Sequence, residues 1–123
     1  TEFGVYHEST SGLRSLMANA VVPAKSPSFI VYLKEMPPAE KLILRFGNSG
    51  NMSLYSVKSG ELAGVFDARM SPIDGRPEVY RAQLRTDLKP GKYVAYTFTD
   101  VSKGAEPWSE ARFEYAGSIE VAP

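Results

Sequence analysis

The chain has no cysteine among its 123 residues, which removes disulfides, thiolate nucleophiles, zinc–thiolate sites and iron–sulfur clusters together. Histidine occurs once, as His7, so a tight transition-metal site and a Ser–His–acid triad are both hard to assemble. The Gly-x-Ser-x-Gly elbow that presents a strained nucleophile is missing, and so is a Gly-x-x-x-x-Gly-Lys-Ser/Thr phosphate loop. Neither sign of charge is in excess: 14 Lys and Arg balance 14 Asp and Glu. A protein gripping nucleic acid or an anionic membrane carries a basic surplus, so neither partner is expected. No apolar run approaches the roughly 20 residues that cross a bilayer, and membrane insertion is not expected either. The chain opens at Thr1 rather than Met, as a processed, trimmed or tagged chain does, so a targeting segment can have been removed.

What is present reads as one globular domain over residues 1–123, with 43% hydrophobic and 23% charged residues. Short strand patterns alternate with turn signals along its whole length. Phe3–Glu8 alternates, and Ser9-Thr10-Ser11-Gly12 breaks it. Leu13, Leu16, Met17 and Ala20 fall at helical spacing with Ser11 as a possible cap, but Ala20-Val21-Val22 is β-branched. The segment Leu16–Val22 is therefore read as a strand, with a short helix as the alternative. Phe29-Ile30-Val31-Tyr32-Leu33 is a continuous apolar run that suits a strand covered on both faces. Leu42–Phe46 is another strand, closed by the turn signal Gly47–Asn51. Met52–Val57 and Leu62–Ala68 read as a pair of strands, and Ser71–Pro77 as a rigid loop tipped by Asp74-Gly75. Val79–Leu88 alternates cleanly, with Tyr80, Ala82 and Leu84 on one face and Arg81, Gln83 and Arg85 on the other. Phe113–Val121 is the last strand, with a break expected at Gly117-Ser118.

Eight or nine short strands without a long helix predict an all-β, antiparallel sandwich of about eight strands; a closed barrel is the alternative. The stretch Leu88-Lys89-Pro90-Gly91-Lys92-Tyr93 resembles the Leu-x-Pro-Gly-x-Tyr corner of immunoglobulin-like and fibronectin type III-like sandwiches. That resemblance implies a tyrosine hydroxyl bonded back to the backbone at the start of a late strand. It covers about a dozen residues and implies a fold, not a job.

Among the side chains that carry chemistry, Trp108 stands out. It sits in the polar loop Asp100–Glu110, where an indole is either a lid on the core or an exposed anchor for a sugar or a protein. Trp108, Asp100 and Glu106 are the expected ligand-binding residues. Asp67, Asp74, Glu78, Asp87 and Asp100 are the carboxylates available to a two-acid hydrolase or to calcium, though most lie in turns where solvation is the ordinary fate. Arg81, Gln83 and Arg85, with Arg45 and Arg112, form a candidate basic stripe on a wet sheet face, paired with Glu114 and Glu120 if it is merely solvated. Tyr55, Tyr80 and Tyr115 read as core or cross-strand residues, and Asn51-Met52-Ser53 matches a glycosylation acceptor. No cofactor and no metal are expected. The function expected is a non-catalytic binding or structural module, an accessory domain or small subunit of an exported or surface-associated assembly. Its partner would be a protein; a carbohydrate-binding module using Trp108 and a small carboxylate-dependent hydrolase are the alternatives. An extracellular, periplasmic or cell-surface location fits this reading, with the cytoplasm left open.

Overall fold

A computed structural model describes residues 4–33, 41–51, 54, 64–73, 75–100 and 111–122. Nine strands run through them: β1 (Gly4–Ser9), β2 (Gly12–Ser15), β3 (Ala20–Val22), β4 (Ser28–Tyr32), β5 (Lys41–Gly47), β6 (Val65–Ile73), β7 (Arg76–Gln83), β8 (Gly91–Asp100) and β9 (Ala111–Val121). A 3-10 turn, Leu16–Ala18, separates β2 from β3. Among the described residues no helix is long and apolar enough to cross a membrane.

The strands follow one order, β2-β1-β4-β7-β6-β5-β8-β9-β3, in a sheet curled nearly into a barrel. The fold is therefore all-β, but two separate sheets are not what the hydrogen bonding shows. The reason is β6, which changes partner midway. Its Val65–Arg69 half pairs with β5, and its Met70–Ile73 half pairs with β7. Every neighbouring pair is antiparallel except β3, which runs parallel to β9.

Alternation explains which faces are buried. Tyr80, Ala82 and Leu84 point inward and Arg81, Gln83 and Arg85 outward, as the sequence predicts. Phe29, Ile30 and Val31 are all buried although successive residues point to opposite faces, so β4 is covered on both faces here, with β1 and β7 along its edges. The rings of Phe29 and Phe46 meet at 5.0 Å and join β4 to β5 through the interior. Tyr80 is a core residue, and Tyr115 is a cross-strand residue packed edge-on against Tyr96 at 5.6 Å.

Three local expectations are corrected. Leu16–Val22 is not one strand: the Ser15 hydroxyl accepts a 3.2 Å hydrogen bond from the Met17 N–H and caps a single turn. Asn19 then takes φ 55°, and the strand begins only at Ala20. Ser71–Pro77 is not a loop, because β6 and β7 continue through it to an Ile73–Arg76 pair. Pro72 is tolerated because this half of β6 pairs with β7 on one side only among the described residues, so its other edge requires no donor. Val65–Arg69 pairs with β5 on one edge; the expected pairing of Leu62–Ala68 with Met52–Val57 falls on segments that, apart from Leu54 and Gly64–Ala68, lie outside the described residues. β9 runs unbroken through Gly117-Ser118, and the irregularity there is a register shift against Ala95 and Tyr96.

The corner at Leu88–Tyr93 forms as expected. Leu88 is buried, and its N–H donates to the Ala24 carbonyl at 3.0 Å. The Tyr93 hydroxyl donates to the Lys89 carbonyl at 2.8 Å, which fixes the approach to β8.

Candidate functional site

Of the residues expected to bind ligand, Trp108 and Glu106 lie outside the described residues. Asp100 ends β8, its backbone paired with Lys41 and Ala111, and its side chain is likewise outside the description. The candidate chemistry elsewhere on the chain is more fully placed. His7 points inward from β1, only 6% exposed, with its ring 5.6 Å from that of Phe29. Burial holds its pKa below the ordinary histidine value, and neighbouring Glu8 opposes that effect. A buried, neutral imidazole in contact with a phenyl ring is a poor general base for an outside substrate.

Asp67 is also committed. Its two oxygens accept from Nε and Nη2 of Arg45 at 2.8 and 3.0 Å, a bidentate fork. Arg45 is 0% exposed, gives a further bond from Nη1 to the Leu54 carbonyl at 3.2 Å, and sets its Cζ 5.5 Å from the Phe98 ring centroid. It therefore leaves the proposed wet stripe. The stripe reading put Arg45 on a wet sheet face, but this side of β5 is covered. Its counter-ion lies 22 residues away on β6, a pairing no local pattern reveals. Among the described residues no group of three or more His, Asp or Glu side chains is placed to hold a metal ion.

Arg81, Gln83 and Arg85 of the stripe come together, whereas Arg112 stands on β9 opposite Thr99 and its side chain lies outside the described residues. Where β6 leaves β7 beyond the Met70–Ala82 pair, a groove of about 760 Å³ opens on the outer face. Arg69 and Asp67 of β6 line one wall, and Arg81, Gln83, Arg85 and Thr86 line the other. Arg81 reaches Glu8 of β1 at 3.2 Å rather than the expected Glu114 or Glu120. That ion pair is exposed, with side chains 53% and 37% accessible, so it contributes little to stability. Arg69 was missed in the sequence because it precedes the prolines read as a loop. Its two-residue spacing from Asp67 and Ser71, once the strand is known to continue, puts it on the same outer face. The groove thus holds three guanidiniums, a side-chain amide and hydroxyl groups, and its one carboxylate is already neutralised by Arg45.

No family model matches this chain, and a search of curated proteins finds no relative for it.

Proposed function

We propose that the chain is an immunoglobulin-like β-sandwich module without catalytic activity, which binds a protein partner as an accessory domain or small subunit of an exported or surface-associated assembly. The observation that carries this reading is the Tyr93–Lys89 corner in its topological setting. An immunoglobulin sandwich orders its strands ABED in one sheet and CFG in the other, with the corner tyrosine near the start of F. Taking β1, β4, β5, β6, β7, β8 and β9 as A to G, the order β1-β4-β7-β6 is ABED and β5-β8-β9 is CFG. Tyr93 stands near the start of β8, the strand in the F position. In this reading β6 supplies an edge to both sheets, which is why the hydrogen bonding runs on without a break.

Such scaffolds recognise partners through end loops, sheet edges and exposed faces. The absence of catalysis is supported by the positions of His7 and Asp67, both occupied with internal contacts. The test is partner capture by the purified chain carrying single substitutions in each end loop and along each sheet edge and outer face. Loss of capture at one contiguous patch is expected. Capture insensitive to every substitution, or turnover on a panel of glycosides and esters, would overturn the reading.

A further inference from the structure

The groove between β6 and β7 has the chemistry of a receptor for carboxylates. We propose that it binds an extended acidic peptide segment of the partner, with Arg69, Arg81 and Arg85 as the side chains that take its carboxylates. The proposal rests on the reading of the chain as a protein-binding module and names the surface that does the binding.

Charge is the first support. Among the described residues that line the groove, Arg69, Arg81 and Arg85 meet one carboxylate, Asp67, which Arg45 already holds, and Arg81 also reaches Glu8 at its edge, so the lining carries a surplus of positive charge in a protein whose net charge is zero. Neither Arg69 nor Arg85 has an ion-pair partner among the described residues, and both are exposed. Guanidinium is weakly hydrated and offers a planar fork that matches a carboxylate, so it gives up water for this partner more readily than lysine does. Among the described residues Arg81 has an exposed ion pair with Glu8 to exchange.

Spacing is the second. Arg81, Gln83 and Arg85 are alternate residues of one extended segment, so their donors recur about every 6.6 Å. An extended peptide presents alternate side chains at that same repeat. An acidic residue at every second position of the guest therefore meets a donor on the groove wall, with Arg69 reaching in from the opposite wall. The third support is what the lining lacks. Single-stranded nucleic acids stack their bases on aromatic rings, and sugars stack their faces on them. No aromatic side chain lines this groove.

The probe is a fluorescein-labelled decapeptide of alternating Glu and Ser, titrated with the purified chain and read by anisotropy. Saturable binding at low ionic strength is expected, weakened at least about fivefold in roughly 0.5 M salt. Arg85→Glu and Arg69→Glu are each expected to weaken it by about tenfold or more. Lys92→Glu makes the same charge change on the exposed start of β8 and is expected to stay within about twofold of the parent. Melting midpoints of all three variants close to the parent's show that folding is intact. No saturable binding at low salt, or binding indifferent to Arg69→Glu and Arg85→Glu, overturns the proposal. Tighter binding of a heparin decasaccharide or of oligo-dT through the same arginines also overturns it, in favour of a polysaccharide or a nucleic acid. If the peptide fails but partner capture persists in Arg85→Glu, the groove assignment falls and the module reading stands. If capture also proves insensitive across the whole surface, both fall.

Discussion

The phenol of Tyr93 and the carbonyl oxygen of Lys89 are 2.8 Å apart, and this one bond closes the corner that leads into β8. Tyr93 is 6% exposed and its ring packs edge-on against Phe66 at 6.3 Å. Tyr93→Phe keeps the ring and leaves the Lys89 carbonyl unpaired, so a loss of about 1 kcal/mol is expected from urea denaturation. Burial also raises the phenol's pKa above the ordinary tyrosine value. The unfolded chain then ionises first, near pH 10. The stabilising contribution is complete below that value and is lost as pH rises through the folded pKa. Stability should fall more steeply above pH 10 in the parent than in Tyr93→Phe, and equal slopes would show that this phenol does not titrate differently on folding.

His7 titrates with the opposite sense. Its folded pKa is depressed by burial, so the unfolded chain takes up a proton first as pH falls below about 6.5. Stability is complete above that value and lost on acidification toward and through the folded pKa. His7→Met has similar bulk and no proton to bind. Melting midpoints measured between neutrality and mild acid should decline less in His7→Met than in the parent.

The Arg45–Asp67 fork joins β5 to the half of β6 that pairs with it. Asp67→Ala leaves a guanidinium 0% exposed without its counter-ion, and a loss of about 3–5 kcal/mol is expected. Removing both charges in Arg45→Leu/Asp67→Leu should recover much of that loss. A double variant no more stable than Asp67→Ala alone would mean that packing around the guanidinium, not the stranded charge, sets the cost.

Gly117 and Gly12 have nearly the same backbone, φ 120° and 121°, but different surroundings. A Cβ on Gly12 meets open space, whereas one on Gly117 strikes the Leu16 carbonyl carbon and oxygen and the Met17 nitrogen. Gly12→Ala should cost only the conformational strain, about 1–2 kcal/mol. Gly117→Ala should cost clearly more, since backbone rather than a flexible side chain has to move. Equal melting midpoints for the two variants would contradict the close approach.

Side-chain periodicity and the corner motif were readable because they are local. The strand from Val79, the doubly covered Phe29–Val31 and the bond made by Tyr93 each depend on a few adjacent residues. What escaped depends on partners distant in sequence. Arg45 looks like a solvated residue until Asp67 and the Leu54 carbonyl are brought to it. Pro72 looks like a strand breaker until its edge is known to lack a partner strand among the described residues. The groove combines both errors, since Arg69 was hidden before the misread hairpin and Arg45 was wrongly counted into the stripe. Only the run Arg81-Ala82-Gln83-Leu84-Arg85 carried a legible part of it.

Ser118 donates its hydroxyl proton to the Asn19 side chain across 99 residues, next to the parallel pairing of β3 with β9. The order of synthesis gives that closure a direction in time. Leu16, Ala20 and Val22 leave the ribosome early, but the backbone against which they are buried is made from the last strand of this sheet. Until β9 has been made, β3 lacks the strand it pairs with, while the turn at Leu16 already has β1 beside it. The seam between β3 and β9 joins residues 20–22 to residues 119–121, so it closes only after nearly a hundred intervening residues have been made.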